Sequence, residues 1–281
     1  MNGVRESALQ LQASDGHSWN LIACVPARVE AALLWLPALG VAARHYRPFA
    51  LELAARGVAV FIHEWRGHGS SSVRASRDVD WGYEQLLQLD LPSSEAAIEA
   101  ALPGASRIIG GHSLGGQLAQ CRAVLRPAFA GRLWLVASGS PYWRAFARPE
   151  KYFLPWAYRF LPWLADRAGA LPGRRIGFGG QEARGVIRDW SHTALSGRYE
   201  SAGAAIDCEE AMSRARPDVD AVVLSRDWLA PASSVRFLLS KMPLARARLS
   251  HIETSTLGVK ADHFAWMNRP DAVVNALLQR P

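Results

Sequence analysis

The chain has 281 residues and a formal net charge of +7, and 49% of its residues are apolar against 20% charged. This composition excludes a disordered chain and is sufficient for one large domain with a sizeable core. The cysteines, Cys24, Cys121 and Cys208, are far apart in the sequence, which argues against a disulfide framework or a cysteine-rich zinc site.

The first third of the chain alternates strand and helix patterns. Ala8–Ala13 and Trp19–Val25 flank a turn-forming sequence at 14–17 and predict a hairpin. Ala31–Leu36 and Val58–Ile62 are apolar runs typical of strands buried on both faces. The helix predicted between them ends near Gly57, and its apolar face is formed by Tyr46, Phe49, Ala50, Leu53 and Ala54.

The alternation continues to the C-terminus. Further strands are predicted at Arg107–Gly110, Leu133–Ala137, Val219–Leu224 and Leu249–Thr254. Further helices are predicted at Glu84–Leu102, at Leu114–Leu125, around Ser233–Ser240 and from Pro270 to about Gln279. This succession predicts a mostly parallel sheet covered by helices on both faces, with functional residues beyond the carboxyl ends of its strands.

Residues 140–200 break this alternation. They contain 12 of the 26 aromatic residues and five prolines, which predict short pieces of structure. We expect an aromatic-rich cap at residues 140–205, inserted between a first core segment (residues 1–139) and a second core segment (residues 206–281). The aromatic residues expected to contact substrate are Tyr142, Trp143, Trp156 and Trp228.

The basic charge is concentrated in residues 122–198, which hold 13 basic and 4 acidic side chains. Its arginines are spaced singly apart from Arg174-Arg175, so there is no basic arm. The excess predicts either a solvated surface or a patch that favours anionic substrates or an acidic membrane surface. No nucleic-acid-binding motif accompanies it, so nucleic acid is not an expected partner.

No predicted segment is long and apolar enough to span a membrane, and the first residues lack the apolar core of a secretory signal. With so few cysteines, these features favour a cytoplasmic protein without a membrane span. Peripheral contact with a membrane surface and the oligomeric state stay open.

Gly111-His112-Ser113-Leu114-Gly115 follows a predicted strand and opens a predicted helix. This is the G-x-S-x-G nucleophile elbow in the context that the motif requires. Its serine lies on a sharp turn, and the flanking glycines let neighbouring backbone approach without a Cβ clash. Ser113 is therefore the candidate nucleophile.

A serine nucleophile needs a histidine base and a carboxylate that orients it, in the chain order Ser, acid, His on this architecture. Asp227 lies just beyond the predicted strand Val219–Leu224, and His263 lies between the last strand and the last helix. We expect Asp227 and His263 to complete a triad. The alternatives are Asp262 as the acid and His192 or His251 as the base.

An oxyanion hole requires two backbone N–H groups that point at the developing negative charge. The first is expected from Leu114, the residue after the nucleophile. The second is expected from the loop 37–40 that follows the strand Ala31–Leu36.

Together these residues resemble the α/β-hydrolase family, in particular its branch of monoacylglycerol lipases and serine aminopeptidase-like hydrolases. The resemblance rests on 37–40 with Tyr46, on Arg66–Ser70, on Gly111–Gly115, on Asp227 and on 262–264. It implies an α/β-hydrolase fold. Matching Tyr46 to the family puts Leu39 at the oxyanion-donor position, with Pro37-Ala38 where the branch usually has His-Gly. In the family Arg66–Ser70 is a structural turn.

No cofactor is expected, because the sequence contains no nucleotide-binding glycine motif. No metal is expected either: His63-Glu64 and His68 are five residues apart, and the intervening glycine favours a turn instead of a shared helix face.

The leading hypothesis is a serine hydrolase that cleaves a small-molecule carboxylic ester with an apolar acyl or aryl group through an acyl-enzyme. Thioesterase, lactonase, acyltransferase and aminopeptidase activities use the same residues. An aminopeptidase would need acidic groups in the cap, where they are few. A protein that binds a ligand on this fold without turnover is the alternative from another class.

Overall fold

In the computed structural model of the protein, residues 3–201 and 206–279 are described. The strands in these two ranges are β1 (Val4–Gln12), β2 (Ser18–Pro26), β3 (Ala31–Leu36), β4 (Val58–Ile62), β5 (Ser106–His112), β6 (Arg132–Val136), β7 (Leu171–Pro172), β8 (Gln181–Glu182), β9 (Asp218–Leu224) and β10 (Arg246–Ile252). The helices are α1 (Arg47–Ala55), α2 (Tyr83–Gln85), α3 (Leu91–Ala101), α4 (Leu114–Leu125), α5 (Glu150–Ala168), α6 (Gly173–Ile176), α7 (Arg184–Ser196), α8 (Glu209–Arg214), α9 (Ala232–Ser240), α10 (Thr254–Leu257) and α11 (Asp271–Leu278).

Eight strands form one sheet in the order β1-β2-β4-β3-β5-β6-β9-β10. The hairpin β1–β2 pairs antiparallel, as does β2 with β4, and the other neighbours are parallel. The prediction of a mostly parallel sheet is confirmed. The carboxyl ends of β3, β5, β9 and β10 therefore share one edge, where the loops that follow these strands meet.

Helices cover both faces of the sheet, as predicted. One apolar cluster packs α1 and α11 against the sheet through side chains such as Phe49, Leu53 and Leu277. The other packs α3 and α4 against the opposite face, through Ile98 and Leu118 among others. Because large apolar side chains fill both layers, the edge that carries the site loops stands on a rigid base.

Most predicted elements are present with ends shifted by a few residues. β1 begins four residues earlier than predicted, because edge-strand positions are exposed and carry polar residues such as Arg5 and Glu6 that periodicity does not detect. The helix predicted at Glu84–Leu102 is continuous from Tyr83 to Ala101, with a π-helical stretch at Leu86–Asp90.

The expectation that prolines break the segment after β6 into short pieces is wrong for α5. This helix has 19 residues and runs through Pro155 and Pro162. Its buried side chains share one face, which packs on α7: Leu154, Tyr158, Leu161 and Ala165. The Tyr158 and Trp190 rings lie 5.0 Å apart across this contact. Tertiary packing thus outweighs the two hydrogen bonds that the prolines remove.

The opposite face of α5 carries aromatic side chains in solvent. Tyr152, Phe153, Trp156, Phe160 and Trp163 are each at least half exposed. None of the helices in the described ranges combines the length and apolar character needed to cross a bilayer. The division into residues 1–139, 140–205 and 206–281 stays a prediction, and within it 1–2, 202–205 and 280–281 lie outside the described residues.

Candidate active site

Ser113 occupies the turn between β5 and α4. Its φ of 55° and ψ of −122° are strained for a residue with a side chain. The Ser113 N–H donates to the Val136 carbonyl at 3.2 Å, which ties the turn to β6. A Cβ on Gly115 would overlap the carbonyls of Leu36 and Pro37, so only glycine lets the helix begin this close to β3.

Asp227 and His263 meet at the same edge of the sheet. His263 Nδ1 lies 2.7 Å from Asp227 Oδ2, and both side chains are almost completely buried. The other oxygen, Asp227 Oδ1, accepts the N–H groups of Leu229 and Ala230 at 2.9 and 3.1 Å. The carboxylate is therefore fixed by its own loop, and it holds Nδ1 so that Nε2 is the free ring nitrogen.

A main-chain hydrogen bond joins the loops that carry these two residues, and a side-chain hydrogen bond fixes the His263 loop itself. The Arg226 N–H donates to the Ala261 carbonyl at 2.8 Å. The Trp266 indole donates to the His263 carbonyl at 3.1 Å. Because Asp227 and His263 are both buried, the relative position of the carboxylate and the imidazole is rigid.

The His263 ring lies next to His112, the residue before Ser113, with 4.7 Å between the ring centroids. Among the described residues no hydrogen bond joins Ser113 Oγ to His263. A nucleophile–base contact commonly tightens only when substrate is bound. The structure thus brings Asp227 and His263 into contact and puts His263 beside the turn that carries Ser113.

A buried hydroxyl positions the loop 37–40. Tyr46 Oη accepts the Ala38 N–H at 2.9 Å and lies 2.8 Å from His112 Nδ1. Burial, followed by the charge of His263, lowers the pKa of His112 well below its ordinary value, so the ring is neutral and Nδ1 accepts the Tyr46 proton. The Trp65 indole donates to the Pro37 carbonyl at 2.8 Å. These contacts fix the loop from both sides.

The two backbone amides expected to form an oxyanion hole have no partner in the part of the chain that the structure describes. Within residues 3–201 and 206–279, neither the Leu39 nor the Leu114 N–H donates to a protein acceptor. Gly40 follows at φ 78° and lies against the segment between β7 and β8. A Cβ there would be 2.5 Å from Gly179 C and Gly180 N, so this loop is in van der Waals contact with the segment that joins β7 and β8.

The four aromatic residues expected to contact substrate have different environments. Tyr142 packs on Phe237 with ring centroids 4.8 Å apart, and Trp143 is half-buried beside it. Trp156 is 74% exposed on the outer face of α5, and Trp228 is 62% exposed. Trp156 does not contact the candidate site, because α5 packs on the protein with its opposite face and leaves Trp156 in solvent.

The alternative acid, Asp262, and the alternative bases, His192 and His251, do not take part in the contact between Asp227 and His263. Asp262 Oδ1 accepts the N–H groups of Phe264 and Ala265 at 3.1 and 2.9 Å. His192 lies on α7 and pairs with Glu200, and His251 is an exposed residue of β10. Asp227, and not Asp262, thus contacts His263.

Ion pairs and hydrogen bonds hold the turn Arg66–Ser70 in place. Arg66 binds both oxygens of Asp90 at 2.7 Å and a further oxygen of Asp15 at 2.7 Å. Glu64 accepts the N–H groups of Ala43 and Ser70. Within the described residues no group of three or more His, Cys, Asp or Glu side chains is arranged to hold a metal ion.

Tyr46, Trp65 and His112 are site residues whose positioning roles the sequence pattern did not reveal. In the sequence, Tyr46 is one residue of an apolar helix face and His112 is a variable position of the elbow. The signal available was indirect: a polar aromatic residue on the apolar face of a helix needs a buried partner.

The chain matches one protein family over more than half of its length. The family model, described as serine aminopeptidase, S33, matches residues 27–189. No curated protein matches this chain.

Many solved structures share the fold. The esterase Pf2001 of Pyrococcus furiosus is 15% identical, with 98% of this chain and 89% of that chain covered and a TM-score of 0.61. A hydrolase from Pseudomonas aeruginosa is 21% identical, with 98% and 97% covered and a TM-score of 0.60. The thioesterase domain of the curacin biosynthetic pathway is 16% identical, with 98% and 100% covered and a TM-score of 0.57.

Proposed function

Because the chain belongs to the serine aminopeptidase (S33) family of α/β-hydrolases, we propose that it is a serine hydrolase that cleaves carboxylic esters through an acyl-enzyme. The observation that carries this proposal is the buried 2.7 Å contact of Asp227 with His263, at the sheet edge where Ser113 occupies a strained turn. The likeness to an esterase structure agrees with it.

In the proposed reaction Ser113 Oγ attacks the ester carbonyl carbon, and His263 Nε2 takes the Ser113 proton. The Leu39 and Leu114 N–H groups donate to the oxygen that becomes negative. Collapse of this intermediate breaks the bond to the alcohol, which receives the proton from His263. His263 then deprotonates a water, whose oxygen attacks the acyl carbon; the bond from that carbon to Ser113 Oγ breaks, Oγ receives the proton from His263, and the acid is released.

Esters are favoured over peptides with a free amino terminus. An ammonium group would be held by carboxylates, and two of the few in the expected cap are already paired, Asp166 with Arg188 and Glu182 with His68. Asp189 accepts the Tyr83 N–H at 2.7 Å. A thioester fits the same site, because the attack and the oxyanion are the same, and the likeness to a thioesterase domain keeps thioesters in the substrate panel.

The test is labelling by a fluorophosphonate probe combined with hydrolysis of p-nitrophenyl esters. We expect Ser113→Ala to abolish labelling and to lower kcat by about 10⁴–10⁶. Ser233→Ala, which changes an exposed serine of α9, should label normally. Normal turnover by Ser113→Ala would refute the proposal.

The same assay separates the two acids. Asp227→Asn should lower kcat by about 10³–10⁴, because the imidazole loses the group that fixes its tautomer. Asp262→Asn should cost only a few-fold, because Asp262 binds backbone N–H groups and not the ring. The reverse order of effects would contradict the assignment of the acid.

A further inference from the structure

A cavity of about 490 Å³ lies where the turn 67–74 of the core meets the segment 168–181. This volume is typical of small-molecule sites. The two walls are joined by a hydrogen bond from Gln181 Nε2 to the Ala75 carbonyl at 2.7 Å. The segment 168–181 also has internal hydrogen bonds: the Phe178 N–H donates to the Gly173 carbonyl, and the Arg174 N–H donates to the Gly180 carbonyl.

Three arginines line this cavity: Arg74, Arg174 and Arg175. None of them pairs with a carboxylate of the described residues. Arg74 donates to the carbonyls of Gly69 and Val73, which orient its guanidinium without neutralising the charge. A concentration of uncompensated arginines in a concave site attracts anions.

The carboxylate of Glu182, which follows the lining residue Gln181, is already engaged. Glu182 accepts the Gly180 N–H at 2.6 Å and lies 3.2 Å from His68 Nε2. Burial lowers the pKa of His68, whereas the hydrogen bond and charge of Glu182, together with the charge of Glu64, raise it, and the net shift is upward. Glu182 therefore acts mainly on His68, and the arginines keep their excess positive charge.

The cavity adjoins the catalytic edge. Its lining residue Gly180 contacts Gly40, the neighbour of the proposed oxyanion donor Leu39. His68 lines both this cavity and a narrow cleft bounded by Leu39 and Leu114. A ligand in the cavity is thus next to the loop that would hold the ester carbonyl.

We propose that this cavity binds a carboxylate carried by the substrate, so that the preferred esters are half-esters of dicarboxylic acids. The planar guanidinium fork matches a carboxylate in two-bond geometry, which favours arginine over lysine for this purpose. The inference rests on the proposed ester hydrolysis, and its test is chosen so that the two can fail separately.

The experiment compares matched p-nitrophenyl esters that differ only in a terminal carboxylate: pentanoate against glutarate, and octanoate against suberate. The variants are Arg174→Gln, Arg175→Gln and the double variant. The control is Arg159→Gln, which removes the same charge from α5, outside the cavity, where Arg159 donates to the Pro155 carbonyl. Arg74 is left unchanged because its turn depends on it.

We expect the wild type to prefer the anionic member of at least one pair. Each single variant should raise KM for that ester about 3- to 10-fold, with kcat and the neutral ester unchanged. The preference should also shrink in concentrated salt, because ions screen charge at distances beyond a few ångströms. Equal effects on both esters, or variants that behave like Arg159→Gln, would overturn the inference.

Failure of ester hydrolysis itself is recognised separately. If the wild type turns over no ester, the proposed function is refuted, and calorimetric titration of the same variants with glutarate decides the inference. Glutarate binding that requires Arg174 and Arg175 would support the cavity as a carboxylate site. Absence of binding by the wild type would overturn it.

Discussion

Replacing Gly40 by alanine tests whether its contact with the segment between β7 and β8 positions the proposed oxyanion loop. Two costs add. A left-handed φ of 78° costs an alanine about 1 kcal/mol. The new Cβ would also lie 2.5 Å from Gly179 C and Gly180 N, both backbone atoms, and overpacking of this kind typically costs about 1–3 kcal/mol.

Gly104→Ala is the matched control. Gly104 has φ 79°, and nothing lies within 4 Å of the position of its Cβ. We expect Gly104→Ala to lower the unfolding free energy by about 1 kcal/mol and Gly40→Ala by about 2–4 kcal/mol. The difference isolates the clash from the backbone strain.

The steric clash at Gly40 should also lower the rate of ester hydrolysis. Relief of the overlap moves Gly40 and with it the Leu39 N–H, and loss of one oxyanion donor typically lowers kcat by about 10²–10³. The assays are urea denaturation and p-nitrophenyl ester hydrolysis for both variants. If Gly40→Ala were as stable and as active as Gly104→Ala, the contact would have no role in positioning the loop.

Two further predictions concern buried groups. Tyr46→Phe removes the acceptor for the Ala38 N–H and the donor to His112, so the unfolding free energy should fall by about 1–3 kcal/mol and kcat should fall as the loop loosens; an unchanged denaturation midpoint would contradict this. Burial lowers the pKa of His63 to about 3, so below pH 6.5 the unfolded chain binds a proton that the folded chain does not. The unfolding free energy should therefore fall as the pH is lowered. His63 should contribute about 2 kcal/mol of this loss between about pH 8 and pH 5. Denaturation of His63→Asn at both pH values should show a shallower pH dependence than the wild type, and an identical slope would refute the assignment.

The sheet and the elbow were predictable because their signals are local. Continuous apolar runs such as Val58–Ile62 have few alternatives to a buried strand. The glycines around Ser113 are required by close backbone approach, which leaves a mark in the sequence. Chain order then led to Asp227 and His263, whose contact the structure contains.

The rest depends on long-range contacts that no local pattern encodes. The helix α5 passes through Pro155 and Pro162 because its inner face packs on α7. The outward position of Trp156 follows from that packing. The aromatic composition of the segment does not indicate which face of a helix each aromatic residue occupies. The contact of Gly40 with Gly180 joins residues 140 positions apart.

The strained backbone of Ser113 has a consequence for how this protein can change. A glycine would adopt φ 55° without the cost of a side chain, so the fold would gain stability from losing its proposed nucleophile. Selection for stability alone would therefore remove the serine, whereas selection for turnover keeps it against a standing penalty. The packing of β5 against α4 has to offset the strain energy of the Ser113 backbone. Stabilising substitutions in this layer would therefore widen the range of mutations that the active site tolerates.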